Sequence, residues 1–121
     1  MVDIKKYDIW LVDLDPTKWH EQNGKRPCIV YQNNLISTQG VSQTFLVIPL
    51  TSQGKTESPV TLFLSNFERY WLSLPSFALC FQMKAVDVSW FVKKIGSIGD
   101  AKTKELLKIK LFNTLDFDDD F

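Results

Sequence analysis

Four residues that can move protons or hold an anion crowd into a short stretch: His20, Glu21, Lys25 and Arg26. An imidazole has a reference pKa of about 6.5, so near neutrality it can take up or release a proton. The neighbouring carboxylate is a second candidate base, and the two cations can neutralise negative charge. Pro27 biases Arg26 toward extended backbone and places its side chain at the mouth of the following apolar run. A guanidinium so placed can grip a phosphate through two parallel hydrogen bonds. A second group, Pro49-Leu50-Thr51-Ser52-Gln53, supplies two hydroxyls, and Thr51 is placed to donate a hydrogen bond to the phosphate that Arg26 neutralises.

The elements that must position these groups are short and β-rich. Runs of β-formers occur at Ile9–Leu14, Cys28–Tyr31, Thr44–Ile48, Val60–Leu64 and Phe77–Met83. Turn signals separate them: Asp15-Pro16, Asn23-Gly24, Asn33-Asn34 and Pro49, the last expected to stop the third strand. Val60, Leu62 and Leu64 share one strand face. Five short strands predict a mainly β domain, a small antiparallel barrel. The stretch 17–25 reads as a polar loop between the first two strands.

The C-terminal part has a different period. Gly99-Asp100 is a stop followed by a good N-cap, and Ala101–Leu115 carries helix formers with Leu107, Leu111 and Leu115 in one stripe. A shorter helical turn is expected over about 88–94, and the acidic Asp118–Asp120 reads as a frayed end. The 121 residues are read as one domain, 1–121, with the barrel over about 8–83 and the C-terminal helix over about 100–115.

Composition narrows the function classes. Fourteen basic and fourteen acidic residues balance, which argues against a passive, strongly basic nucleic-acid coat but leaves room for a local basic groove. Cys28 and Cys80 lie in apolar runs and read as buried core thiols. With His20 the only histidine, no metal-ligand spacing exists, and no metal or cofactor is expected. The N-terminus lacks a signal-peptide core and no apolar stretch approaches a membrane span, so a soluble, cytoplasmic protein without membrane contact is expected.

The segments Asp8–Lys18, Glu21-Gln22, Arg26-Pro27, Pro49–Ser52 and Ala78–Gln82 resemble, in order and spacing, the successive motifs of the MazF/PemK family of toxin–antitoxin ribonucleases. The similar region runs from about Asp8 to Leu115. The resemblance implies an SH3-like five-stranded barrel of the CcdB/PemK type with a C-terminal helix. It also implies a homodimer that cleaves single-stranded RNA at short sequences, and a cognate antitoxin that occupies the RNA groove and links the toxin indirectly to DNA. Essential family positions match Arg26 and Thr51, while Glu21 and His20 match loop residues important in some branches. Gln22, Lys25, Ser52, Gln82 and Trp19 complete the expected substrate-binding set, with Trp19 either a stacking platform or, in place of the family's Gly, an obstruction that changes the loop's path.

Cleavage of RNA without a metal uses the substrate's own 2′-OH as nucleophile. Arg26 is then expected to stabilise the phosphorane charge, Thr51 to orient the phosphate, and either His20 or Glu21 to act as base. The expected products are a 2′,3′-cyclic phosphate and a 5′-hydroxyl. The family usually has Gly where this chain has Tyr7 and Trp19, and one branch has Arg and Asp where this chain has Leu79 and Phe81. That last departure keeps open two alternatives, a non-enzymatic CcdB-like toxin that binds a topoisomerase and a simple SH3-like interaction module.

Overall fold

The computed structural model describes residues 3–14, 24–38 and 43–116. Among the described residues, seven antiparallel strands and a C-terminal helix form the fold. The strands are β1 (Asp8–Asp13), β2 (Lys25–Val30), β3 (Thr44–Thr51), β4 (Thr61–Leu64), β5 (Ser76–Leu79), β6 (Lys84–Asp87) and β7 (Phe91–Ser97). A short helix α1 (Asn34–Thr38) follows β2, and α2 (Ala101–Leu115) closes the chain's described part. The sheet order is β4-β5-β3-β2-β1-β7, with β6 paired to the first half of β3.

The mainly β architecture with its C-terminal helix is the expected one, but two strands were not anticipated. Only Val88–Trp90 is helical in the stretch expected as a turn, and it is a 3₁₀ turn capped by Asp87, which accepts the Ser89 N–H at 2.8 Å. From Phe91 onward the chain is strand β7, paired with β1. The pair Lys93-Lys94 breaks any alternation of apolar and polar residues, so cross-strand pairing, not local pattern, makes this strand. Likewise β5 ends at Leu79, and Cys80–Gln82 forms a 3₁₀ turn before β6. The first 33–34 Asn pair does form a turn, with Asn33 accepting the Leu35 N–H at 2.8 Å, and then leads directly into α1.

Pro49 does not stop β3. It sits opposite Cys28 at the last step of the β2–β3 ladder, and beyond it Leu50 and Thr51 pair with Ala78 and Phe77 of β5. Proline has no N–H for a ladder, and it falls where β3 passes from one neighbour to the next. The strand therefore continues through it while changing partner.

Two apolar clusters hold the sheet. One joins Ile9, Ile29, Ile48 and Leu50 to Leu62 and Leu64 of β4 and to Leu107 and Leu111 of α2. The other packs Val12, Cys28, Val30, Phe45, Val47 and Val86. The stripe on α2 is shorter than expected, because Leu107 and Leu111 are buried but Leu115 is 51% exposed. On either side of Leu111 the helix is also held by polar bonds: Lys110 donates to the Ser58 carbonyl, and Asn113 donates to that of Pro59 at 2.7 Å. Asp100 is the N-cap as expected, accepting the Thr103 N–H at 3.1 Å.

Candidate functional site

The register of β2 against β3 positions the two expected anion-binding residues. The pairs Val30↔Val47, Ile29↔Ile48 and Cys28↔Pro49 are consecutive and end the ladder, and Arg26 and Thr51 each lie two residues beyond that last pair on their own strand. Both residues line one open cleft of about 560 Å³. Lys25 and Ser52 line it beside them. The far wall is the segment Leu72–Ser76, which contributes Ser73, Leu74 and Ser76, and the buried Leu50 and Leu72 stiffen the base.

The chemistry of this lining favours an anion. Among the described residues the cleft has two cations, Lys25 and Arg26, and no carboxylate. Arg26 is exposed and makes no salt bridge among the described residues, and its guanidinium is a group that can present paired donors to an anion. The Thr51 hydroxyl oxygen accepts the Gln53 N–H at 3.4 Å, which leaves the hydroxyl hydrogen to donate. Ser76, in contrast, donates inward to the Leu74 carbonyl at 2.9 Å and serves the shape of the wall.

The remaining expected site residues divide into two groups. Trp19, His20, Glu21 and Gln22 lie outside the described residues. The segment that carries them leaves β1 at Leu14 and returns at Gly24, where the Leu14 N–H donates to the Gly24 carbonyl at 2.8 Å. Its ends are thus pinned next to Arg26. Gln82 is exposed at the end of the Cys80–Gln82 turn and is not among the cleft's lining residues. Leu79 is buried and Phe81 exposed, so neither position offers an ionisable group.

Tyr7 stands where the family resemblance leads one to expect a glycine. Its φ is 76°, the left-handed region that favours glycine, so the backbone path is the one a Gly would take. Its N–H donates to Val30 at 2.7 Å and its carbonyl accepts from Ile98 at 2.8 Å. The ring meets Tyr31 edge-on at 5.6 Å and carries the Lys104 ammonium at 4.6 Å. The substitution preserves the path and adds contacts that a glycine lacks.

The thiols are as expected. Cys28 and Cys80 are free and fully buried. Burial pushes each thiol up to about 12, with Lys84 and Arg26 pulling back on Cys28 and Lys110 on Cys80. Neither is a nucleophile in the folded protein. The wall Leu72–Ser76 is the part of the site that sequence reasoning missed; its only local signal is the Leu74-Pro75 turn.

Residues 5–110 match the family described as the PemK-like, MazF-like toxin of type II toxin–antitoxin systems. The chain belongs to this family. Endoribonuclease EndoA of Bacillus subtilis is 30% identical over 111 residues, spanning 89% of this chain and 94% of that protein. Endoribonuclease MazF of Staphylococcus saprophyticus is 28% identical over 104 residues, spanning 85% and 84%. Among solved structures, an endoribonuclease in complex with its cognate antitoxin from a mycobacterial species superposes with a TM-score of 0.73 at 14% identity, covering 95% of this chain and 97% of that one. MazF of Deinococcus radiodurans superposes with a TM-score of 0.72 at 20% identity, covering 97% and 100%. At those identities the superpositions show the fold. For a PemK-like toxin, the Arg26–Thr51 cleft falls within the matched region, as does the whole sheet.

Proposed function

We propose that this PemK-like toxin is an endoribonuclease that cuts single-stranded RNA without a metal, and that the Arg26–Thr51 cleft holds the scissile phosphate. The observation that carries this reading is the meeting of an exposed guanidinium and a donating hydroxyl in one cleft without a carboxylate among its described lining. The endoribonuclease relatives support the reaction class.

In the reaction, the 2′-oxygen attacks the adjacent phosphorus and the bond from phosphorus to the 5′-oxygen breaks. A cyclic 2′,3′-phosphate and a 5′-hydroxyl result, the leaving 5′-oxygen taking its proton from a general acid or from water. Arg26 stabilises the charge that gathers on the phosphoryl oxygens, and Thr51 orients them. His20 or Glu21, on the segment anchored beside Arg26, takes the 2′ proton. Lys25 and Ser52 flank the phosphate, and Gln22, Gln82 and Trp19 belong to the surface that binds the rest of the strand.

The toxin works in the cytoplasm as a homodimer and is neutralised by a cognate antitoxin, through which it is linked to DNA. Support for the antitoxin comes from the family and from the mycobacterial endoribonuclease solved with its own. The described helices include none long and apolar enough to cross a membrane. The replacement of the branch's Arg and Asp by Leu79 and Phe81 is the observation that favours a non-enzymatic, topoisomerase-binding toxin. One experiment separates the two. Purified protein is incubated with single-stranded RNA in EDTA, and the ends of any products are identified. Cleavage to 5′-hydroxyl ends is expected; intact RNA with wild-type protein would overturn the nuclease reading.

A further inference from the structure

Trp71 is 78% exposed, and its backbone is left-handed at φ 64°. Glycine or asparagine is the usual occupant where a helical turn ends in that conformation. An indole in that place bears the strain of its β-carbon and leaves a large apolar surface in water, so neither folding term explains it.

The position is nevertheless firmly held. The Trp71 N–H donates to the Glu68 carbonyl at 3.1 Å. Tyr70 before it is buried, and its hydroxyl donates to Asp100 at 2.8 Å and lies 2.8 Å from the Thr103 hydroxyl, at the start of α2. On the other side stands Gly96 of β7. A β-carbon there would come within 2.2 Å of the Tyr70 carbonyl oxygen and 3.0 Å of the Trp71 Cδ1. The indole is therefore seated against β7 through a position that has no side chain.

Beside Trp71 runs a groove of about 480 Å³ with Lys93 and Lys94 along it. Pro27, Leu72 and Ser73 line both this groove and the Arg26–Thr51 cleft, so one surface leads into the other. Lys94 lies 3.5 Å from the Asp8 carboxylate, whereas Lys93 is exposed and has no ion pair among the described residues. A rigid aromatic face, a free ammonium and a path into a phosphate-binding cleft are the parts that hold a single strand of nucleic acid. An acidic peptide would use the lysines but has no need of a fixed, flat ring.

We propose that the Trp71–Lys93 groove is a second RNA-binding subsite, in which a base outside the cleaved step stacks on Trp71 while Lys93 holds the adjoining phosphate. This rests on the RNA-cleaving reading of the Arg26–Thr51 cleft. It makes Trp71 and Lys93 substrate-positioning residues that govern how long a strand the enzyme grips.

The test uses mixed-sequence 2′-O-methyl oligoribonucleotides, which cannot be cut, of about four and about twelve residues. Trp71→Gly suits the left-handed backbone and leaves folding intact. It is expected to weaken binding of the longer strand about tenfold and to leave the shorter unchanged. Trp71→Phe should recover most of the loss, and Lys93→Gln should reduce the salt slope for the longer strand by about 0.7. Unchanged affinity of Trp71→Gly for the longer strand overturns the subsite, while loss of cleavage in Arg26→Ala leaves the nuclease reading standing. Failure of wild-type protein to bind either strand overturns both. If Trp71→Gly loses affinity only for an acidic Glu-rich peptide, the groove is a protein-docking surface and the RNA subsite is overturned.

Discussion

Arg26 and Thr51 line one cleft from neighbouring strands, each two residues beyond the Cys28↔Pro49 pair that ends the β2–β3 ladder. Pro49 is what lets this pair form a cleft. After it β3 pairs with β5, so Thr51 belongs to one half of the sheet while Arg26 stays with β1 and β2. The separation of partners opens the space that both side chains line. A site of this kind needs accurate strand register, since a slip of one residue would turn each side chain to the opposite face.

Arg26→Ala is expected to lower kcat by about a hundredfold or more, the usual loss on removing a donor aimed at transition-state charge. Arg26→Lys should recover only part, because an ammonium keeps the charge but not the paired geometry. Arg26 is exposed, so both variants should fold as wild type. Single-turnover cleavage with thermal denaturation as control measures both; rates within a few-fold of wild type for the Ala variant would remove Arg26 from the chemistry.

Thr51 separates hydroxyl from shape. A hydrogen bond to a charged group contributes about 1.5–3 kcal/mol, so Thr51→Val should lower kcat/KM roughly tenfold or more. Thr51→Ser keeps the donor and should stay within a few-fold. Equal activity of the Val and Ser variants would mean that the hydroxyl only supports the Gln53 N–H it already accepts.

Much of this was legible from local signals. Asp100 and the Leu107–Leu111 spacing marked α2 because capping and helical period are written in adjacent residues. Arg26-Pro27 and Thr51 could be singled out by type and by family resemblance. Their juxtaposition could not, because it depends on a register between two strands and on a proline that β3 runs through. Strand β7 was hidden for a related reason: Lys93, Lys94 and Gly96 obscure its pattern, and its partner β1 lies far back in the chain. The Leu72–Ser76 wall has no motif at all and is defined only by where folding puts it.

Tyr7 sets backbone strain against side-chain contacts. Glycine would relieve a left-handed residue by about 1 kcal/mol. It would lose the edge-on contact with Tyr31 and the Lys104 ammonium over the ring, together worth about 1–2.5 kcal/mol, and the ring's partial burial besides. Glycine also gains freedom in the unfolded chain. Tyr7→Gly is therefore expected to destabilise by about 1–2 kcal/mol, read as a lower urea midpoint. A more stable Gly variant would show that strain outweighs packing.

Asp100 should give the fold a specific response to acid. Burial by itself would raise its pKa, but the Thr103 hydroxyl, the Tyr70 hydroxyl and the Thr103 N–H together outweigh that and hold the carboxyl down at about 2. The proton is thus bound less tightly in the folded state than in the unfolded one. It follows that the stabilisation is whole above about pH 4 and is lost as the pH falls toward about 2. The group is partly open to solvent, so the effect is screened, and about 1 kcal/mol, the common worth of an N-cap, is the expected scale. Asp100→Asn can still accept the capping N–H but has no charge to lose. Its urea midpoint should be lower than wild type at pH 7, and the gap should narrow at pH 3 and close near pH 2. Because Asp100 also accepts the Tyr70 hydroxyl at 2.8 Å, the same acid titration should loosen the turn that carries Trp71, seen as faster amide exchange at Tyr70 and Trp71. A constant gap between the two proteins from pH 7 to pH 2 would show that the cap works through its shape and not through its charge.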